Sequence, residues 1–156
     1  MLSIDIPGFA SLTLHFLVLD YNGTLALDGH LQPGVLSRLS QLKSTLTVHI
    51  LTADTFGTVR ATFAHTDYHV HVLPQGNEAQ AKADYIAGLG ASACACIGNG
   101  ANDAIMLRTA GLSMAVLQAE GVARAALDAA HLVVPGIDHA LDLLMHPHRL
   151  RATLRT

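Results

Sequence analysis

The chain has 156 residues, a net charge of −3, and a composition that is 51% apolar and only 13% charged. That length suits one domain burying roughly two-thirds of its unfolded surface, and so much apolar content excludes disorder. Seven arginines and two lysines form no basic stripe, which argues against nucleic acid, and no apolar run reaches the ~18 residues of a membrane span. With no signal peptide visible, the expected location is cytoplasmic, with no membrane partner.

Short apolar runs alternate with amphipathic stretches along the whole chain, which predicts βαβ units around a parallel sheet. The first eleven residues, with Pro7-Gly8, suit an edge strand or hairpin. Strands are expected at Leu12–Leu19, Thr45–Leu51, Tyr68–Val72, Ala93–Ile97, Leu112–Val116 and His131–Val134. The strongest of these are continuous Val/Leu/Ile runs, as expected of strands covered on both faces. Helices are expected at Pro33–Lys43, Thr55–His65, Asn77–Leu89, Asn102–Thr109, Gly121–Ala129 and Ile137–Met145. Asp54 or Thr55 suits one N-cap and Asn102 another. Between Asp20 and Pro33, the Asp28-Gly29 pair predicts a small hairpin flap, placed to shield a reacting group from water. Residues 146–156 form a basic tail with the pattern of a short docking helix. No linker or repeat divides the chain, so residues 1–156 are expected to make one catalytic domain.

Chemistry-bearing residues fall at successive strand ends, where open α/β sheets place their sites. Asp20 ends the first core strand, Thr52 follows the second, and Asp103 follows Ala93–Ile97 across a glycine turn. Lys82, one of two lysines, lies in the first half of its helix. Carboxylates, a cation and anion donors converging on one sheet edge suit metal-assisted phosphoryl transfer.

These residues, read in order, resemble the haloacid dehalogenase superfamily: Asp20-x-x-Gly23-Thr24-Leu25, a strand ending in Thr52, then Lys82, then Gly98-x-Gly100-x-Asn102-Asp103. Gly98–Ala104 resembles the hinge motif of P-type ATPases, and Leu112–Asp142 resembles the part that follows it. The chain looks like a free-standing catalytic core of that kind. The resemblance implies a three-layer, Rossmann-like α/β fold with a central parallel sheet. Only thirty residues separate Thr52 from Lys82, so no large cap fits between them. The resemblance further implies that Asp20 is a nucleophile and Mg²⁺ ligand, with the Asn22 carbonyl as a second ligand. Thr52 and Lys82 would hold phosphoryl oxygens, and Asp103, with Asn99 beside it, would complete the metal site.

Two positions depart from the family pattern. Asn22 stands where phosphatases carry a general acid/base Asp, and Asn99 stands where an Asp is usual. The first implies slow turnover, since such proton transfer contributes about 10²–10⁴-fold. The second removes a negative charge from the metal site. The expected function is a slow Mg²⁺-dependent phosphohydrolase acting through an aspartyl-phosphate on a phosphorylated substrate. The alternative is a silent binding or assembly module that keeps affinity for Mg²⁺ or phosphate. An uncapped site also suits a macromolecular substrate or a homo-oligomer that closes it.

The remaining candidates read as structural. Cys94 and Cys96 alternate along one strand, about 6.5–7 Å apart, which is poor for a disulfide. His65, His69 and His71 lack an evident fourth donor for zinc. Gly98-x-Gly100 fails as a dinucleotide fingerprint because Asp103 occupies the third glycine position.

Overall fold

The computed structural model describes residues 1–54 and 58–156. Leu2–Ile6 (β1) and Ala10–Leu14 (β2) form an antiparallel hairpin, and Phe16–Asp20 (β3) enters the central sheet. The single strand expected over Leu12–Leu19 is therefore two. The break falls at His15, whose N–H donates to the Ala93 carbonyl (2.8 Å) and whose carbonyl accepts from Thr47 N–H (2.9 Å). Side chains record the same change. In β2, exposed Ser11 and Thr13 alternate with buried Leu12 and Leu14, whereas Leu17 to Asp20 in β3 are all buried.

The flap is present as Ala26–Leu27 (β4) and His30–Leu31 (β5), paired antiparallel. Its turn residues Asp28 (φ 50°) and Gly29 (φ 77°) both take the left-handed conformation of a primed turn. The first helix, Val35–Leu42 (α1), leads to Thr47–Thr52 (β6), followed by Thr58–Thr62 (α2), His69–Val72 (β7) and Glu78–Leu89 (α3). Cys94–Gly98 (β8), Ala104–Thr109 (α4), Leu112–Val116 (β9), Arg124–Ala129 (α5), Leu132–Val134 (β10), Ile137–Met145 (α6) and Pro147–Leu154 (α7) complete the chain. Among the described residues the central sheet runs β10-β9-β8-β3-β6-β7, parallel throughout.

Helices cover both faces of this sheet. Leu17, Leu19, Val48, Ile50 and Ile97 pack with residues of α1, α2, α6 and α7, and with the inward side chains of the β1–β2 hairpin. On the other face Val18, Leu51, Cys94 and Cys96 pack with Ile86 of α3, Met106 and Leu107 of α4, and Ala126 of α5. This is the expected three-layer α/β fold, with no large cap. Among the described residues no helix is long and apolar enough to cross a membrane.

Helix starts depart from the sequence expectation for local reasons. Thr55 lies outside the described residues. α2 begins at Thr58, so Asp54 is not at its N-cap position, although its carboxylate accepts from Val59 N–H (2.9 Å) and the Thr58 hydroxyl (2.7 Å) in the first turn. A 3₁₀ turn over Ala101–Asp103 precedes α4, so Asp103 rather than Asn102 carries the hydrogen bonds there. Gly121 (φ 81°) and extended Ala123 delay α5 to Arg124. The C-terminal tail is helical, with Pro147 in its first turn and Leu150 buried against the core.

Candidate active site

The parallel register decides where the site forms. Leu19 of β3 lies level with Ile50 of β6 on one side and Ile97 of β8 on the other. The residues that follow, Asp20, Thr52 and the Gly98–Asp103 turn, therefore arrive together at the carboxyl edge of the sheet. Lys82 reaches the same edge from α3.

Asp20, Lys82 and Asp103 meet directly. Lys82 Nζ donates to Asp20 Oδ1 at 2.6 Å and to Asp103 Oδ1 at 2.5 Å. Lys82 is 1% exposed and Asp103 fully buried, whereas Asp20 keeps 8% exposure, open to a pocket of about 230 Å³. The second Asp103 oxygen accepts the N–H groups of Asn99 (3.0 Å) and Gly100 (2.8 Å), which fixes the acid across its own turn. A side chain at Gly98 would collide with the Asp103 carboxyl group, so glycine there lets the acid fold back.

Charge is unbalanced in this cluster, because two carboxylates share one ammonium. Burial, and then the Asp103 charge, push the Asp20 carboxyl up to about 7, against the opposing pull of Lys82. Burial alone would pull Lys82 down, but the two carboxylates beside it outweigh burial and hold the ammonium protonated. Asp20 therefore sits near its titration point at neutral pH, where a further cation would favour its ionised form.

Asn22 and Asn99 line the same pocket, with Glu78 and Glu120 at its sides. The Asn99 amide is oriented by its own bond, Nδ2 to the Gly121 carbonyl at 3.1 Å, which turns Oδ1 toward the Thr24 hydroxyl at 3.2 Å. Thr52, 1% exposed, stands at the next strand end with its hydroxyl accepting Asp54 N–H at 3.1 Å. Asn22 and Ala53 also border a neighbouring cleft of about 390 Å³ that runs past Tyr21, Gly29 and Gln75.

Sequence reasoning missed Thr24 and Gln118 as site residues. The Thr24 hydroxyl, fully buried, donates to Asp20 Oδ2 at 3.0 Å and so holds the oxygen that Lys82 leaves free. Four-residue spacing from Asp20 across a glycine turn was the available signal. Gln118 donates to the Gly23 and Thr24 carbonyls at 2.7 and 2.8 Å, and nothing local in the sequence marks it.

The cysteines and histidines lie elsewhere. Cys94 and Cys96 are free and buried; burial pushes the Cys94 thiol to about 11 and that of Cys96 well upward. His49 stacks on His69 (4.7 Å between ring centres) and meets the Tyr85 hydroxyl through Nδ1 at 2.8 Å. Among the described residues no three His, Cys, Asp or Glu side chains are grouped to hold a metal.

No protein-family model matches the chain. Two proteins of Methanocaldococcus jannaschii do, both described as uncharacterized. MJ0073 is 42% identical over 59 residues, which cover 38% of this chain and 63%, less than two-thirds, of that relative. MJ0072 is 49% identical over 39 residues, 25% of this chain and 89% of the relative. Among solved structures, the cobalt-bound deoxy-D-mannose-octulosonate 8-phosphate phosphatase YrbI of Haemophilus influenzae superposes with TM-score 0.68 at 16% identity, over 92% of this chain and 94% of that one. The 3-deoxy-D-manno-octulosonate 8-phosphate phosphatase of Moraxella catarrhalis, solved with magnesium and phosphate ions and KDO, gives 0.65 at 17% identity over 85% and 86%. The catalytic domain of the CPx-ATPase CopB-B gives 0.61 at 23% identity over 74% of this chain and 46% of that one. The chain thus has the fold of the haloacid dehalogenase hydrolases and belongs to the same family as MJ0072.

Proposed function

We propose that the protein is a Mg²⁺-dependent phosphohydrolase, slow in turnover, that carries the phosphoryl group on Asp20. One observation carries this reading: a carboxylate at a strand end, gripped by a buried lysine and a threonine hydroxyl, faces an open pocket. The phosphatases that share the fold support it.

The donor set fits Mg²⁺. It leaves one uncompensated negative charge and offers hard oxygen donors only, with room for water in the pocket. Asp20, the Asn22 carbonyl and Asn99 Oδ1 would hold the ion, and Asp103, whose oxygens are taken by Lys82 and two amides, would act through water. When bound, the ion neutralises phosphoryl charge and favours ionised Asp20.

Asp20 attacks the phosphorus of a phosphomonoester, and the bond from phosphorus to the leaving-group oxygen breaks. That oxygen takes its proton from solvent, because the Asn22 amide has none to give. Water then attacks the phosphorus and loses a proton to solvent, the bond from phosphorus to the Asp20 oxygen breaks, and phosphate leaves with Asp20 restored as a carboxylate. Lys82 offsets charge beside Asp20, and the Thr52 hydroxyl, which accepts from Asp54, keeps its own proton for a phosphoryl oxygen. No lysine or arginine stands among the described residues lining the adjoining cleft, which suits an uncharged leaving group. A macromolecular substrate, or a second copy of the chain, would close the open side.

Asn22 and Asn99 favour a second reading, a binding module that retains Mg²⁺ or phosphate affinity without turnover. Hydrolysis of p-nitrophenyl phosphate with Mg²⁺, with EDTA, and by Asp20→Asn separates the two. Mg²⁺-dependent turnover that the variant loses is expected. Substantial turnover by Asp20→Asn would end the covalent mechanism, and a wild type that only binds Mg²⁺ and beryllofluoride would establish the second reading.

A further inference from the structure

The loop between β9 and α5 forms one wall of the pocket, and Gln118 within it uses every polar atom of its side chain. Nε2 donates to the carbonyls of Gly23 (2.7 Å) and Thr24 (2.8 Å). Oε1 accepts Nε2 of Gln32 (2.8 Å) and the N–H of Ile137 at the start of α6 (2.9 Å). Gln32, at the foot of the flap, also donates to the Thr24 carbonyl at 3.1 Å, and its own N–H bonds the Leu25 carbonyl at 3.0 Å. Two successive carbonyls after the nucleophile are therefore tied to one amide. Thr24, the residue so held, is the one whose hydroxyl holds Asp20 Oδ2.

We propose that Gln118 is a positioning residue for Asp20, acting through the Gly23–Thr24 segment, and that it anchors the foot of the flap in the same network. This rests on the reading of Asp20 as the nucleophile. The site needs a side chain that donates two bonds from one atom and accepts two at another, at the reach of Gln118 from β9. A glutamine amide does so; a glutamate keeps only the accepting end. Glutamate at 118 would still accept from Ile137, at a helix start where negative charge is favourable. It would, however, turn an oxygen toward the Gly23 and Thr24 carbonyls and release them. Misplacement of a reacting group by about 1 Å costs on the order of 10²-fold in rate.

Gln118→Glu and Gln118→Leu test this. The first preserves the cap of α6, and the second removes all four bonds and reports the cost to folding. For Gln118→Glu we expect a melting temperature within a few degrees of wild type, a kcat on p-nitrophenyl phosphate lower by about 10–100-fold, and KM changed by less than about threefold. Mg²⁺-beryllofluoride binding should weaken in parallel. Amide exchange at Leu25 and Ala26, which donate to the Tyr21 carbonyl, should quicken about tenfold while that of Ile137 stays slow. Wild-type kcat in Gln118→Glu, or a fall in kcat without faster exchange in the loop, would overturn the proposal. If the wild type itself neither turns over nor binds beryllofluoride, the phosphohydrolase reading fails. Unchanged Leu25 and Ala26 exchange in Gln118→Glu would then reject the anchoring role independently.

Discussion

Asp20→Asn should make the metal-free protein more stable at neutral pH while abolishing activity. Asp20 has its carboxyl raised from 3.8 to about 7, first by burial and then by Asp103. As pH rises through that interval the unfolded chain releases the proton and the folded chain keeps it, so wild-type stability falls. Above pH 7 both states are ionised and the penalty is complete, about 4 kcal/mol at 1.36 kcal/mol per unit. Asparagine fills the same space, keeps a carbonyl oxygen for Lys82, turns its NH₂ toward the Thr24 hydroxyl, which can accept in place of donating, and never titrates. Its absolute stability includes the loss of a charge-assisted bond from Lys82, about 1.5–3 kcal/mol. The difference between variant and wild type is the cleaner quantity. From pH 5 to 8 it should move by about 3 kcal/mol in favour of asparagine, a shift in relative Tm of roughly 6–12 °C for a chain of this size. Thermal unfolding in EDTA at pH 5, 6, 7 and 8 measures it, and saturating Mg²⁺ should narrow the gap. A difference that stays constant with pH, or moves toward wild type as pH rises, would refute the electrostatic account of the site.

Asn22→Asp should raise hydrolysis by at least about tenfold, since it restores a group able to pass a proton to the leaving oxygen; single-turnover rates on p-nitrophenyl phosphate check this. Lys82→Met should cost about 3–5 kcal/mol at pH 8, because it strands two buried carboxylates, and less at pH 5, where Asp20 takes a proton; urea unfolding at both pH values reads the contrast. His49, held down to about 4 by burial and then by His69, acts in the opposite sense. Below pH 6.5 the unfolded chain gains a proton that folded His49 refuses, so His49→Leu should remove on the order of 2 kcal/mol of acid-side instability between pH 7 and 4.5, measured by urea unfolding.

The fold was legible wherever hydrophobic pattern and turn chemistry agreed. Continuous apolar runs marked β6, β8 and β9, Asp28-Gly29 marked the flap, and the bounds of α6 were read without error. Leu12–Leu19 misled because an alternating stretch, Ser11 to His15, abuts a continuous one, and both are apolar on average. The period changes at the residue where the chain changes sheets. Asp20, Lys82 and Asp103 were legible because strand ends in a parallel sheet share one edge and because lysine is rare in this chain. Gln118 was not, and Thr24 was marked only by its four-residue spacing from Asp20. Their significance lies in which carbonyls and carboxylate oxygens they meet, and Gln118 meets residues 94 and 95 positions away in the chain.

The two asparagines act differently on the site that the structure contains. Asn22 removes a proton donor without disturbing any bond of the Asp20–Lys82–Asp103 cluster. Asn99 changes the charge around it. An aspartate at 99 would face the Thr24 hydroxyl and Asp20 as a third carboxylate beside one lysine, and it would give up the bond from Nδ2 to the Gly121 carbonyl. The amide therefore adds no repulsion to the burial and the Asp103 charge that already raise Asp20 to about 7. On the proposed function, the same exchange would weaken the pull on a divalent cation. Position 99 would thus set stability of the metal-free site against affinity for the ion, and position 22 would set the rate once the ion is bound.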